Sequence, residues 1–373
     1  AANVTDSIGP YFYILGTGQS SNSNSFYQKY NLEEWSLRDE NHNLIVGADP
    51  GGTANCSSVV SIDQDAPVLP TAMKDLTQFF INSGMKGIYL DVETVDNYLN
   101  YQKAGSSKPS TDPLAHARGV RRVFQNVLDA LRADSRTRND YWVTSELAAE
   151  HYINEMSFAY RATAGNLVAP GQSFDIPLFE TVYHDYIATA FWNFPAHPAV
   201  TAQNLRAGAL PYLELRQVPA DFPPAADPVI DHIGQYARLR VHANTRKFLE
   251  YGKLMDEPDF ETAIYPQAQI PFFPLYSKYS PASVPFVVPA VFKASDGTLG
   301  IGLTNWDLGS AHNIRLQVDF ARYGLQAATP YRLFEISEAG KTLLRSESQS
   351  FELNVEMPAL TTKVFSLEPA GAF

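Results

Sequence analysis

Apolar stretches that run directly into acidic residues constrain the fold of this chain more than any other feature. The pattern occurs three times: residues 87–90 before Asp91 and Glu93, residues 141–145 before Glu146, and residues 176–179 before Glu180. Such short apolar runs predict strands of a parallel sheet that is buried on both faces. In an α/β barrel the active site lies at the carboxyl ends of the strands. Three strands that end in acids therefore predict a polar pocket suited to a carbohydrate.

Strand and helix patterns alternate over the first two thirds of the chain. Strands are predicted at residues 11–16, 87–92, 141–145, 176–182 and 209–215, and helices at residues 69–83, 112–133, 201–207 and 228–254. A long polar loop is predicted from residue 17 to about 65, and an aromatic loop at 191–194. The helix at 112–133 has the strongest pattern, because its apolar side chains recur at the i, i+3, i+4, i+7 spacing. The alternation predicts a parallel α/β architecture.

From about residue 279 the pattern changes to short runs of alternating hydrophobicity separated by turns. The predicted strands lie at residues 286–288, 299–303, 314–318, 331–334, 351–355 and 363–367. Regular short strands of this kind are typical of an all-β sandwich. A Pro-rich stretch at 266–289 is the expected boundary, which gives a first domain at 1–265 and a second at 280–373.

Charge and cysteine content exclude several classes of function. The net charge is -12, and no basic run of the kind that nucleic acid requires is present. No apolar run is long enough to span a bilayer. Cys56 is the only cysteine, so it forms neither an intrachain disulfide nor a metal site by itself. No strand is followed by a glycine-rich phosphate loop and no metal-ligand spacing occurs, so no cofactor and no metal are expected.

Several short motifs give the chain a family resemblance. The strand ends "YLDV" (89–92) and "SE" (145–146), the segment "PLFETVYHD" (177–185) and the C-terminal sandwich together resemble bacterial TIM-barrel glycoside hydrolases. A broader likeness is to the α-galactosidase and α-amylase clans. The resemblance spans residue 11 to the C-terminus and implies an α/β fold class: a (β/α)8 TIM barrel followed by an all-β sandwich. It also implies an oligo- or polysaccharide substrate.

The strand count differs from that of a complete barrel. Eight strands are required, and about five are predicted before the sandwich. An incomplete barrel would leave a sheet edge unpaired. We therefore expect either a homo-oligomer or association with an N-terminal segment that completes the barrel. The start Ala1-Ala2-Asn3 fits a mature terminus left after cleavage, and a secreted or cell-surface protein is expected.

Glycoside hydrolysis requires two carboxyl groups that flank the scissile bond. In the α-galactosidase and α-amylase clans, which the chain resembles, an acid at one strand end is the nucleophile and an acid at a later strand end is the proton donor. This implies Asp91 as the nucleophile and Glu146 as the proton donor, with Glu93 and Glu150 as their respective rivals. The resemblance favours retention through a covalent intermediate on Asp91, although no sequence reveals the carboxyl separation that distinguishes retention from inversion.

Further polar and aromatic residues are candidates for substrate binding. They are Trp35, Tyr89, Glu93, Glu150, Glu180, Tyr183, His184, Asp185 and Trp192. Aromatic faces suit the apolar C–H faces of pyranose rings, and His184 is a candidate to hydrogen-bond a sugar hydroxyl. The alternative for His184 is a packed histidine with a backbone partner. A second hypothesis for the whole chain is a non-catalytic glycan-binding or structural surface protein, and a third is a lyase or transferase that uses the same acids.

Overall fold

A computed structural model describes ten ranges of the chain: residues 11–15, 19–21, 25–47, 59–91, 114–145, 150–161, 178–193, 197–213, 227–272 and 278–370. The chain forms two compact units, residues 1–160 and residues 161–373. The expected domain boundary at 266–289 does not coincide with this division. The domain bounds 1–265 and 280–373 stay a prediction.

The first unit contains parallel strands, helices and a small antiparallel sheet. Its elements are β1 (Tyr11–Leu15), β2 (Gln19–Ser21), α1 (Ser25–Lys29), a 3-10 helix (Leu32–Trp35), β3 (Val46–Gly47), β4 (Val59–Ser61), α2 (Leu69–Asn82), β5 (Gly87–Asp91), α3 (Ala115–Ala133), β6 (Trp142–Ser145) and a 3-10 helix (Glu150–Glu155). Strand β7 (Ala159–Arg161) follows at the division between the units.

Three strands of the first unit form a parallel sheet in the order β1-β5-β6. The three parallel strands therefore lie in the sheet in the same order as along the chain, as the strands of a barrel do. The crossover helices α2 and α3 pack against each other, which places them on one side of the sheet. Within the described ranges the parallel strands do not close into a barrel. The mixed α/β architecture is therefore confirmed, and the closed (β/α)8 barrel stays a prediction.

Helix α3 confirms the strongest sequence pattern. All six apolar residues predicted to share one face are buried: Val120, Val123, Phe124, Val127, Leu128 and Leu131. Helix α2 follows its prediction within one residue at its end, and Met73, Phe80 and Ile81 are buried. Phe79 is the exception, since 62% of it is exposed.

The expected long polar loop at 17–65 is not a single loop. It contains α1, a 3-10 helix and the small antiparallel sheet β2-β4-β3. Tyr27, Leu32, Leu37 and Ile62 are buried there, and the Tyr27 hydroxyl donates a 2.6 Å hydrogen bond to Glu33. These apolar residues are too widely spaced to show a period, which is why sequence patterning missed the structure.

The second unit begins with helices and two parallel strands and continues into antiparallel strands. Its first elements are α4 (Leu178–Tyr183), β8 (Thr189–Asn193), α5 (Pro198–Ala207), β9 (Leu210–Leu213), α6 (Pro228–Val241), α7 (Arg246–Leu249) and β10 (Lys253–Leu254). The sandwich region consists of β11 (Phe260–Thr262), β12 (Ile264–Phe272), β13 (Lys278–Pro285), β14 (Val287–Lys293), β15 (Leu299–Asn305), β16 (His312–Val318), β17 (Tyr331–Ser337), β18 (Gly340–Glu347), β19 (Phe351–Met357) and β20 (Thr361–Pro369).

The strand predicted at 176–182 is wrong, because residues 178–183 form helix α4. Glu180, His184 and Ile187 are buried while Thr181 and Val182 are exposed. This spacing of four and three residues is helical and does not alternate. A short apolar run does not by itself distinguish a strand from a helix. The loop predicted at 191–194 is also wrong for residues 191–193, which belong to strand β8.

The long helix predicted at 228–254 ends earlier, at Val241. His242 adopts an extended conformation there, and the Thr245 side chain donates a 3.1 Å hydrogen bond to the His242 carbonyl. Thr245 also donates to the carbonyl of Leu239. Side-chain hydrogen bonds of this local kind compete with the helical backbone pattern, so residues 242–245 turn the chain before α7 begins.

The predicted all-β region is confirmed. A six-stranded sheet in the order β10-β14-β15-β20-β17-β18 faces a three-stranded sheet in the order β11-β16-β19 across a shared apolar core. Strand β18 was not predicted, because an edge strand with exposed side chains carries no hydrophobic alternation. The hairpin of β12 and β13 was also missed, because it lies in the Pro-rich stretch.

Strand β15 explains why the six-stranded sheet is covered on both faces. Leu299, Ile301 and Leu303 belong to the core shared with the three-stranded sheet. Gly300 and Gly302 point to the opposite face, where a Cβ at Gly300 would collide with the ring of Phe248. Helices α5, α6 and α7 pack on that face. The alternation of large residues with glycine therefore lets helices approach the sheet closely.

None of the helices in the described ranges combines the length and hydrophobicity that crossing a membrane requires.

Candidate active site

The carboxyl ends of the parallel strands in the first unit lie at one level. Leu15 of β1 pairs with Asp91 of β5, and Leu90 of β5 pairs with Ser145 of β6. The strands form because their side chains are apolar and buried: Ile88, Leu90 and Val143 are at most 1% exposed. Since paired residues of parallel strands share a level, the residues that follow them in sequence start from the same edge of the sheet.

The two candidate catalytic acids belong to this edge by their position in the chain. Asp91 is the last residue of β5, and its side chain lies outside the described part of the structure. Glu146 follows directly on Ser145 in the sequence, and both Glu146 and Glu93 lie outside the described residues. Glu150 is the first residue of the 3-10 helix at 150–155, and its side chain lies outside the described part of the structure. The roles of all four acids stay predictions.

The end of β6 is held by a neighbouring segment of the chain. The Val143 carbonyl accepts a 2.8 Å hydrogen bond from the Ser157 N–H, and the Val143 N–H donates to the Ser157 hydroxyl at 3.0 Å. The Thr144 hydroxyl donates to the Phe158 carbonyl at 2.6 Å. Thr144 and Ser145 are buried. The strand that leads to Glu146 is therefore fixed up to its last residue.

Two aromatic candidates for substrate binding lie in the first unit. Tyr89 is 8% exposed within β5, so it is a core residue of the parallel sheet. Trp35 is half-buried at the end of a 3-10 helix, and its carbonyl accepts a 2.8 Å hydrogen bond from the Asp63 N–H. Of the two, Trp35 has the greater exposed fraction.

The remaining candidates lie in the second unit. Glu180 is fully buried, Tyr183 is half-buried with its ring 5.0 Å from that of Phe179, and Asp185 is exposed. Trp192 lies in β8, and its side chain is outside the described part of the structure. Helix α4 thus directs Glu180 inward while Asp185 faces solvent.

His184 is buried and contacts backbone carbonyls through both ring nitrogens. Nδ1 lies 2.5 Å from the Gly252 oxygen and Nε2 lies 3.2 Å from the Gly208 oxygen. Arg240 also donates to the Gly208 carbonyl, from Nε at 3.2 Å and Nη2 at 3.1 Å. Burial is the largest influence on His184 and lowers its pKa. This geometry matches the packed-histidine interpretation and leaves neither nitrogen for a sugar hydroxyl.

One aromatic group in the second unit was missed by sequence reasoning. Tyr265, Phe286 and Trp306 have their ring centroids within 6 Å of one another, and Tyr265 is 42% exposed. Tyr265 directly precedes the Pro-rich stretch at 266–289 that was interpreted as a domain boundary, and no period marks a strand there. The signal available in the sequence was the pair Ile264-Tyr265 itself, two large apolar residues directly before Pro266.

No group of three or more histidine, cysteine, aspartate or glutamate side chains among the described residues is arranged to hold a metal ion.

Comparison with known proteins finds similarity of three-dimensional structure and no match at the level of sequence families. The chain matches no protein-family model, and no curated protein matches its sequence. Solved structures do match: the GH36 alpha-galactosidase AgaA from Geobacillus stearothermophilus has a TM-score of 0.52 and 10% identity. The match covers 96% of this chain and 44% of that chain. GH36 alpha-galactosidase AgaB from the same organism gives the same values.

An alpha-amylase from Geobacillus thermoleovorans, complexed with acarbose, has a TM-score of 0.50 and 10% identity, over 95% of this chain and 76% of that chain. These neighbours are glycoside hydrolases with a barrel and a sandwich. The likeness shows a distant glycosidase-like fold. This chain spans less than half the length of the α-galactosidases that it matches.

Proposed function

We propose that the protein hydrolyses O-glycosidic bonds with two carboxyl groups, Asp91 and Glu146. The observation that carries the proposal is the register of the parallel sheet, which pairs Leu90 with Ser145. Asp91 and Glu146 directly follow Leu90 and Ser145 in the sequence, and these two paired residues lie at one level near the carboxyl ends of β5 and β6. Active sites of α/β barrels lie at this edge, and the fold neighbours are glycoside hydrolases.

Asp91 acts as the nucleophile in the proposed mechanism. Its carboxylate attacks the anomeric carbon and forms a covalent glycosyl-enzyme intermediate. Glu146 donates a proton to the leaving oxygen and then removes a proton from the water that hydrolyses the intermediate. Retention requires carboxyl groups about 5–5.5 Å apart, a separation compatible with side chains on adjacent strands about 4.8 Å apart. A donor with this role needs a pKa above the usual range for glutamate.

Substitution of each acid tests the proposal. The substrates are a panel of aryl glycosides and polysaccharides, and the variants are Asp91→Asn and Glu146→Gln. Matched controls are Asp129→Asn and Glu40→Gln, two exposed acids of the same unit. We expect Glu146→Gln to lose roughly 10²–10⁴-fold in rate, the range for removal of an acid-base group. We expect Asp91→Asn to lose activity because the covalent intermediate no longer forms. The controls keep the wild-type rate.

Two additional readouts separate the roles. NMR of the first-formed anomer distinguishes retention from inversion, and mass spectrometry after treatment with a fluorinated glycoside locates a covalent adduct on Asp91. Full activity in Asp91→Asn would remove Asp91 from the mechanism and make Glu93 the candidate; full activity in Glu146→Gln would do the same in favour of Glu150. Glycan binding without hydrolysis of any substrate would favour the hypothesis of a non-catalytic glycan-binding protein.

Location and assembly belong to the same proposal. A secreted or cell-surface protein meets polysaccharides directly, and a second copy or a further segment would pair the edges of an open parallel sheet. Cell fractionation tests the first expectation, and light scattering after size-exclusion chromatography tests the second.

A further inference from the structure

The chain that follows β6 leaves the strand at its carboxyl end and returns to the same strand. Strand β6 ends at Ser145, and Ser157 hydrogen-bonds to Val143 through both its N–H and its hydroxyl. Residues 146–156, which we call the β6 loop, connect these two anchored points. The β6 loop carries Glu146, the proposed proton donor, and its rival Glu150 in the sequence.

Helix α3 holds the described part of the β6 loop through apolar side chains. Tyr152 of the 3-10 helix is buried, and its ring stacks on that of Phe124 of α3 with centroids 6.1 Å apart. Ile153 and Met156 are buried as well. Removal of these apolar side chains from water fixes the 3-10 helix in the first unit.

An ion pair anchors the end of the same 3-10 helix. Arg121 Nε lies 3.1 Å from Glu155 Oε1. Arg121 precedes Phe124 by three residues, so both side chains lie on one face of α3. The Glu155 side chain is only 11% exposed, and its Oε2 is buried with no hydrogen-bond partner among the residues that the structure describes. Arg121 therefore supplies the positive charge that a carboxylate in this position requires.

These anchors lie on both sides of Glu146 along the chain. Ser145 is buried directly before it, and the 3-10 helix begins at Glu150. A general acid transfers its proton only within hydrogen-bond reach of the leaving oxygen, about 2.6–3.2 Å. Contacts that fix the β6 loop should therefore matter for proton donation more than for substrate affinity.

We propose that Arg121 is a positioning residue for the reaction: through Glu155 it fixes the β6 loop and thereby the proton donor Glu146. The inference rests on the proposed function and deepens it, because it concerns how the same carboxyl group is held. Asp91 belongs to β5, so nucleophilic attack should not depend on this ion pair. The effect of Arg121 is specific to the proton-donation step.

Glycosides with different leaving groups test this role. Dinitrophenoxide is a stable anion that leaves without a proton, whereas phenoxide departs with the help of the general acid. Arg121→Gln should lower kcat/KM on phenyl glycosides by roughly 10- to 100-fold, since a displacement of about 1 Å costs up to about 10²-fold in rate. On dinitrophenyl glycosides the variant should keep most of the wild-type kcat/KM. Arg121→Lys retains the positive charge and should recover part of the loss.

Arg122→Gln is the matched control. Arg122 is the next residue on α3, its side chain is similarly exposed, and it pairs with Asp65 instead of Glu155. The control should keep the wild-type kcat/KM on both classes of glycoside. Glu155→Gln should reproduce the defect of Arg121→Gln. The double variant should be no worse than either single variant, because both substitutions break the same pair.

Amide hydrogen exchange reports on the β6 loop without any substrate. Residues 146–156 should exchange faster in Arg121→Gln than in the wild type and in Arg122→Gln, because local opening becomes easier when an anchor is removed. Unchanged exchange in the β6 loop overturns the role of Arg121 and leaves the two-carboxylate mechanism in place. Full activity of Arg121→Gln on phenyl glycosides, or an equal loss on both classes of glycoside, has the same consequence. A wild type that hydrolyses no glycoside contradicts the proposed function itself and, with it, the assignment of Arg121 to that reaction.

Discussion

His232 makes the stability of the protein depend on pH. It lies on α6, is 2% exposed, and its Nε2 is 3.1 Å from Thr304 Oγ1 and 3.2 Å from Thr362 Oγ1. Nδ1 is buried and has no hydrogen-bond partner within the described part of the chain. Burial lowers the pKa of His232 to about 4, because a charged imidazole loses its hydration there.

The magnitude follows from the difference between the folded and unfolded proteins. An unperturbed histidine has a pKa of about 6.5. Above pH 6.5 both states are neutral. Between 6.5 and 4 the unfolded chain takes up a proton that folded His232 excludes, so stability falls as pH falls. At about 1.4 kcal/mol per pH unit, the loss is about 3 kcal/mol and is complete below pH 4.

The perturbation is His232→Leu, which removes the titrating group and leaves the 2.6 Å contact between the Thr304 and Thr362 hydroxyls. Urea unfolding at pH 7, 6, 5 and 4 gives the free energy of unfolding. The wild type should lose about 3 kcal/mol more than the variant between pH 6.5 and 4. His42→Asn is the control: His42 is exposed with a positive φ that asparagine tolerates.

NMR titration of the His232 ring provides a check that does not depend on two-state unfolding. The Cε1–H resonance should keep its neutral position well below pH 6. A midpoint near 6.5, or the same pH dependence of unfolding in the wild type and in His232→Leu, would refute the reasoning.

Three substitutions test packing. Gly208→Ala should destabilise by about 2–4 kcal/mol in urea unfolding, because the φ of +64° is strained for alanine and the new methyl collides with the His184 ring. Gly300→Ala should cost about 1–3 kcal/mol through collision with the Phe248 ring, and Phe248→Leu in the same chain should recover part of it. Phe124→Ala in α3 should cost about 3–5 kcal/mol, seen as a lower Tm; an unchanged Tm would contradict its burial.

Local pattern predicted helices α2 and α3 and several of the sandwich strands. Helix α3 follows the 3.6-residue period over its whole buried face, and β16 alternates buried with exposed side chains along its length. These elements were predictable because the residues that determine them lie within one or two turns of helix, or along one strand. Helix α4 was not, because its short apolar run fits either period and burial of Glu180 and His184 decides between them.

The candidate site likewise combines features that local sequence predicted with contacts between segments that are distant in the chain. The sequence predicted a strand at residues 87–92 that carries Asp91, and the structure describes β5 as Gly87–Asp91. The partner strand and its register came from pairing between segments more than fifty residues apart. The same holds for His184, whose ring contacts the carbonyl of Gly252. No local pattern specifies such contacts, because each depends on a segment distant in the chain.

The sequence alone therefore determined the strongly periodic helices and strands, the positions of acids directly after apolar runs, and the change from an alternating strand–helix pattern to an all-β pattern. These depend on the order of neighbouring side chains. Only the tertiary structure decided that β6 pairs with β5, that His184 is buried, and that Tyr265 is exposed. Each of these depends on which distant surfaces meet when the apolar area of the chain is removed from water.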